Sequence, residues 1–216
     1  MVQLIVLAAI ALFFILKLRS VLGTRDGYEP TEQPQRPEPA SPRREFEVID
    51  GGVDEDLTDF VDADSHPYHA LKAIKGKDPE FKVGEFLMGA KSAYEMVLTA
   101  YHNGDLESVR GFIAPEVAEA FDDAIVERQD RGLTYETQIL GIQNVQVHDA
   151  ALNPATGEAE VSVEFTAQLI SALKDEDGIV IEGDDTQARR QRDVWAFVRV
   201  LGSEDPNWQL VDTAVV

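Results

Sequence analysis

The chain has 216 residues and carries 40 acidic against 19 basic side chains, a net charge of −21 at pH 7. Such a charge excludes a nucleic-acid binder, since the phosphate backbone repels it and counterion release has nothing to act on. Cysteine is absent, which excludes disulfides, thiolate nucleophiles and zinc–thiolate sites.

The first element is VQLIVLAAIALFFILKLRSVL, residues 2–22. Its unbroken apolar core, Leu4 to Leu16, is thirteen residues long, which suits a signal-peptide core or a buried helix. Read on to Leu22, the segment has 21 residues, and at about 1.5 Å per residue it reaches about 30 Å, enough to cross a bilayer core. Leu4, Ile5, Phe13 and Phe14 belong to its apolar body. Lys17 and Arg19 lie in the last turn and a half, where long basic side chains snorkel to the headgroups. A signal peptide carries its positive charge ahead of the apolar run, and here the charge follows it. The segment therefore reads as a single-pass anchor. Lys17, Arg19 and Arg25 place the C-terminal bulk on the cytoplasmic side. Residues 1–25 contain no acid, so the remainder holds 16 basic and 40 acidic residues, a charge of −24.

Residues 23–77 read as a linker. Five prolines fall between Pro30 and Pro42 among Glu, Gln and Arg, a composition of extended, solvated chain. An acidic run follows, from Asp54 to Asp64, with Leu57, Phe60 and Val61 inside it. It allows a short acidic–hydrophobic recognition helix, although its composition favours disorder. The less polar HPYHALKAIKGKDPEF is suited to docking on the domain that follows.

The folded domain is expected over 78–216. Asp78-Pro79 offers an N-cap and a first-turn proline. Phe86, Ala90, Ala93, Tyr94, Val97 and Tyr101 then form one apolar stripe ending at Asn103-Gly104. A short helix is predicted from Asp105 to Phe112. A second long helix opens at Pro115, with Val117, Phe121, Ala124 and Ile125 on one face, and ends at Gly132. Beyond Gly132 the period becomes two. Residues 133–152 alternate, with Gly141 marking a bulge or bend. Val161, Val163, Phe165, Ala167 and Leu169 make the clearest strand, half-buried. Ile179–Ile181 is an excursion at a strand end, VWAFVRVL is apolar on both faces and so central, and WQLVDTAVV closes the sheet. Helices first and antiparallel strands after predict an α+β fold, helices on one face of a curved sheet of about four strands.

No catalytic motif stands out. His66 and His69, near Asp62 and Asp64, can be drawn as a metal site, but a linker gives ligands no supporting shell. His102, at a helix end, suits the helix dipole as a cation. His148 and Asp149 are adjacent on a strand and so point to opposite faces. Tyr94, Tyr101 and Asp193 are candidates to line a cavity with acid–base chemistry, or to be core residues whose hydroxyls reach one partner. No metal or cofactor is implied. The bulky Phe86, Tyr94, Phe121, Ile125, Phe165, Trp195 and Phe197, with the small Gly89, Ala90, Ser92 and Ala93, mark an apolar cleft between helix and sheet. A close-packed core that uses Gly and Ala for helix contact accounts for the same pattern.

FLMGAKSAYEMVLTAYHNGDLESVRGFIAPEVAEAF, Gly141 in a bent strand, DVWAFVRVL and DPNWQLVDT together resemble the Tim44-like domain. That family includes the subunit that tethers the chaperone motor to the inner-membrane translocase of mitochondria. The resemblance covers about residues 78–216. It implies a nuclear-transport-factor-two/cystatin-like fold with a large apolar pocket, membrane association and adaptor work without catalysis. The layout of a short span, polar linker and domain is that of bacterial members, so a bacterial inner (plasma) membrane location is expected. The transit peptide and long chaperone-binding region of the mitochondrial proteins find no counterpart, so import-motor function is not carried over. The expected function is a non-catalytic, membrane-tethered adaptor that offers its cleft to a protein partner or an apolar ligand, in protein translocation or membrane-protein assembly. The alternatives are an enzyme on the same scaffold using a cavity Tyr or Asp, and a scaffold acting through its acidic face.

Overall fold

A computed structural model describes residues 54–216. The expected anchor over 2–22 and the proline-rich stretch lie outside the described residues. Among those described, no helix is long and apolar enough to cross a membrane.

Residues 54–77, read from sequence as linker, are helical and packed. A single turn, α1 (Glu55–Thr58), buries Leu57 completely. Helix α2 (His66–Lys77) starts where Ser65 accepts a hydrogen bond from the Tyr68 amide at 3.3 Å, with Pro67 in its first turn. Tyr68, Leu71 and Ile74 recur every three residues and are buried, on a helix that lies against the first strand. Each such apolar side chain removed from water contributes about 1.5–3 kcal/mol. Two acids of the run are paired: Lys75 Nζ reaches Asp54 at 2.8 Å and Asp56 at 3.1 Å, joining α1 to α2, while Asp59, Asp62 and Asp64 stay exposed. The acidic run read as disordered because its composition hides the buried Leu57, whereas α2, in the less polar HPYHALKAIKGKDPEF, docks as expected.

Asp78 ends α2 instead of starting the next helix. Its amide donates to the Ile74 carbonyl at 2.8 Å, and its carboxylate pairs with Arg199 at 3.1 Å. Helix α3 (Val83–Asn103) begins five residues later, without a side-chain cap, and stops at Gly104 in the left-handed conformation (φ 73°). The predicted short helix over 105–112 is reduced to a 3₁₀ turn, Arg110–Phe112. Leu106, Val109 and Ile113 anchor this stretch to the core, and the Ala114 amide fixes it to the last strand through Leu210 O at 2.8 Å. Helix α4 (Pro115–Asp130) follows as read.

Four strands, β1 (Thr134–Leu152), β2 (Glu158–Lys174), β3 (Val180–Val200) and β4 (Gln209–Val215), form one antiparallel sheet in the order β1-β2-β3-β4. The helices pack on this open sheet, an α+β architecture. The β1 register shifts at Ile139/Gly141, Ile142/Asn144 and Val147/Asp149, and such bulges bend and twist a strand. Val161, Val163, Phe165, Ala167 and Leu169 of β2 are all buried. Ile179–Ile181 leads directly into β3, whose first half is paired only with β2, because β4 covers just Asp193–Val198.

Candidate functional site

At the centre of the sheet the expected cleft residues meet and fill the space. Tyr94, fully buried on α3, stacks on Phe165 with ring centroids 4.5 Å apart and lies 4.6 Å from Trp195. Its hydroxyl donates to Asp193 Oδ2 at 2.5 Å. Burial first, and then the Asp193 carboxylate, raise the Tyr94 phenol far above its ordinary range. Tyr94 and Phe165 line neither of the two cavities described below.

Space opens instead at the two ends of α3. Toward the N-terminal end is a groove of about 260 Å³ between α3 and the turn before β4. Phe86, Ala90 and Phe197 line it, together with Gly89, Ala93, Met96, Phe112, Pro206 and Trp208. Trp208 stacks edge-on to Phe86 at 4.8 Å and approaches Phe81 at 5.8 Å. A methyl group built at Gly89 would meet nothing within 4 Å, so the small residue leaves room here and permits no close helix contact. Met96 and Phe112 stay 47% and 39% exposed at the groove. Sequence reasoning named Phe86, Ala90 and Phe197 but missed Met96, Phe112 and Trp208. Trp208 was visible only as the start of the closing strand after the DPN turn, and Phe112 as the tail of a predicted helix.

Toward the C-terminal end a second cavity, about 310 Å³, lies between α3, α4 and strands β3 and β4. Phe121 and Trp195 line it, with Tyr101, His102, Tyr135, Gln191 and Asp193. Ile125, the remaining predicted pocket residue, is buried on α4 and lines neither cavity. Asp193 is 2% exposed. Besides Tyr94, its carboxylate accepts from Gln191 Nε2 at 2.8 Å on one oxygen and 3.1 Å on the other.

The cation at the end of α3 is not His102. Arg128, buried on α4, donates from Nη2 to the Tyr101 and His102 carbonyls at 3.0 and 3.3 Å. Its guanidinium lies 5.4 Å from the Tyr101 ring centroid and 5.0 Å from that of Tyr135. It meets the negative end of the helix dipole and leaves His102 neutral: burial, then the Arg128 charge, push the imidazole down to about 4. The other histidines form no site. His66 Nδ1 lies 3.0 Å from Asp149 on the surface, and among the described residues no cluster of His, Asp and Glu is arranged to hold a metal ion.

The sequence profile of the Tim44-like domain matches residues 68–215. The chain belongs to the Tim44-like domain family. The Tim44-like match begins inside α2, in agreement with the packing of Leu71 and Ile74 and ten residues before the boundary predicted at 78. Among curated relatives, subunit TIM44-1 of the mitochondrial import inner membrane translocase of Arabidopsis thaliana is 27% identical over 146 residues, 64% of this chain and 30% of the relative. The TIM44 subunit of Homo sapiens is 28% identical over 146 residues, 66% of this chain and 32% of the relative. The match thus spans about a third of each relative's length. The intermembrane space region of the chloroplast protein ARC6 aligns with a TM-score of 0.42 at 14% identity, over 60% of this chain and 95% of that one.

Proposed function

We propose that the protein is a non-catalytic, membrane-tethered adaptor whose Tim44-like domain offers the groove at the N-terminal end of α3 to a protein partner or an apolar ligand. Residues 2–22 are the tether, in a bacterial inner membrane, and the domain lies in the cytoplasm. The work it serves is protein translocation, the setting named for the relatives as translocase subunits, or membrane-protein assembly. The observation that carries the reading is the groove itself: aromatic walls from Phe86, Phe197 and Trp208, space over Gly89, and exposed Met96 and Phe112. Methionine and aromatic side chains left in contact with water at a groove are adaptable apolar contacts for a partner. The tuning of the second cavity supports a non-catalytic role. His102 titrates near 4 and Tyr135 is raised by burial, so neither is poised to exchange a proton near neutrality.

The test is crosslinking in native membranes with wild type and with Met96→Asp/Phe112→Asp, changes at exposed positions that leave the core intact. The expected result is loss of the principal partner with the fold retained. An unchanged set of crosslinked partners removes the groove from the function. Recovery of the chain with an intact N-terminus in the soluble fraction removes the tether.

A further inference from the structure

We propose that the cavity against Asp193 binds an ammonium or guanidinium group carried on an unbranched aliphatic chain, the chemistry shared by lysine and arginine side chains and by free alkylamines. The site is separate from the groove and does not rest on the adaptor reading. Three observations on different elements converge on it.

The first is a buried anion that no cation meets. Asp193 is 2% exposed and lines the cavity, yet its partners are only the Tyr94 hydroxyl and the Gln191 amide. A carboxylate offers about four acceptor positions, and these contacts use three of them, leaving one on Oδ1. A carboxylate out of water costs several kcal/mol unless a charge or a full set of donors offsets it. Arg128, the one buried cation among the described residues, forms no ion pair with it: Arg128 does not line the cavity, its Nη2 serves the carbonyls at the end of α3, and its Nη1 is buried without a partner.

The second is the wall. Tyr101, Phe121, Tyr135 and Trp195 surround the space with Leu98 beside them. Aromatic faces attract cations and pack against methylene chains. Arg128, 5.4 Å from the Tyr101 centroid and 5.0 Å from that of Tyr135, shows two of these rings already serving a guanidinium.

The third is a second acceptor. His102 lines the same cavity, and its Nδ1 is buried without a hydrogen-bond partner. Held neutral with its proton on Nε2, the imidazole presents Nδ1 as an acceptor for an N–H donor. An anion, a neutral acceptor and aromatic walls suit a cation rich in N–H groups. They suit a carboxylate or phosphate poorly.

The experiment titrates the full chain with n-butylammonium, n-butyrate and n-butanol by isothermal titration, with thermal unfolding in parallel. Butylammonium is expected to bind at least tenfold more tightly than the other two. Asp193→Asn keeps the side-chain shape and is expected to bring the three probes within about twofold of one another. Should that variant fail to fold, Thr213→Lys supplies the second arm. Thr213 is a half-buried position on β4 that lines the cavity, and a lysine there presents its own ammonium and is expected to abolish binding with the fold retained. A short peptide with one central lysine, against its norleucine analogue, separates the sources. Tight lysine-dependent binding assigns a partner's side chain, and binding of butylammonium alone assigns a free amine. Equal affinity of wild type for all three small probes, or no binding of any, overturns the proposal. Either outcome leaves the crosslinking result at Met96 and Phe112 unaffected, so the two readings fail separately.

Discussion

The two ends of helix α3 face the same sheet with opposite chemistry. At the N-terminal end Phe86 meets Phe197 at 6.0 Å and Trp208 at 4.8 Å, and the small Gly89 and Ala90 leave a groove. At the C-terminal end Tyr94, Tyr101 and His102 meet Asp193 and Arg128, two buried charges that do not pair with each other. One apolar stripe on one helix thus supports a largely apolar groove and a polar-headed cavity. The stripe fixes which face is buried, and the side chains arriving from β3, β4 and α4 decide what that face does.

The contrast predicts distinct responses to mutation and to pH. Phe86→Ala should have the largest effect, a loss of about 3–5 kcal/mol for deleting a buried aromatic. Its signature is weak dependence on pH, because Phe86 packs on the rings of Phe81, Phe197 and Trp208, while Glu85, the titratable residue at the groove, is exposed and paired with Lys82 at 2.7 Å. Denaturant unfolding at pH 7 and pH 5 checks both points, and a cost that varies with pH would break the distinction between the ends.

The C-terminal end should respond to acid through His102. Its folded pKa, about 4, lies below the ordinary value of 6.5. Below about 6.5 the unfolded chain takes up a proton that the folded chain refuses, so stability is full above that pH and falls as pH drops toward 4. The loss amounts to at most about 3 kcal/mol. His102→Gln should remove that part of the acid sensitivity, measured as the difference between variant and wild type at pH 7 and 4.5. The same acid slope in both proteins would mean that His102 is not held neutral.

Tyr94→Phe should cost about 1–2 kcal/mol, since it strips one donor from a buried carboxylate and leaves the ring stack in place. The smallest effect is expected at Gly89→Ala: its Cβ enters open space and the helix gains up to about 1 kcal/mol. The stability of this variant should rise slightly while crosslinking to a groove partner weakens. A destabilised Gly89→Ala would show that the groove is more closely packed than its geometry indicates.

Much of the fold was legible because periodicity reports burial directly. Val161 to Leu169 alternates in the sequence and is buried as one face of β2, and the α3 stripe ends at the predicted Gly104. Gly141 marks a register shift where a bulge was expected. The legible part fails where local composition outvotes a short pattern. Residues 54–64 carry enough acid to read as disordered, yet Leu57 seals them to the core, as Tyr68, Leu71 and Ile74 do the docking segment that follows. Asp78-Pro79 carries a helix-start signal, but Asp78 finds Arg199, 121 positions away, and closes α2 instead. Among the site residues, the pattern identified the bulky ones without separating those that fill the centre, Tyr94 and Phe165, from those beside an opening.

What the sequence by itself determined is the order of elements from α3 onward, the buried face of each, the family and the net charge, because these follow from local spacing, quotable motifs and a sum over residues. What only the tertiary structure decided is where space remains and which charges are left without a counterpart. Both depend on contacts between residues far apart in the chain. Arg128 takes the end of α3 that His102 was expected to hold, and Asp193 stays buried opposite it with Tyr94 and Gln191 as its partners.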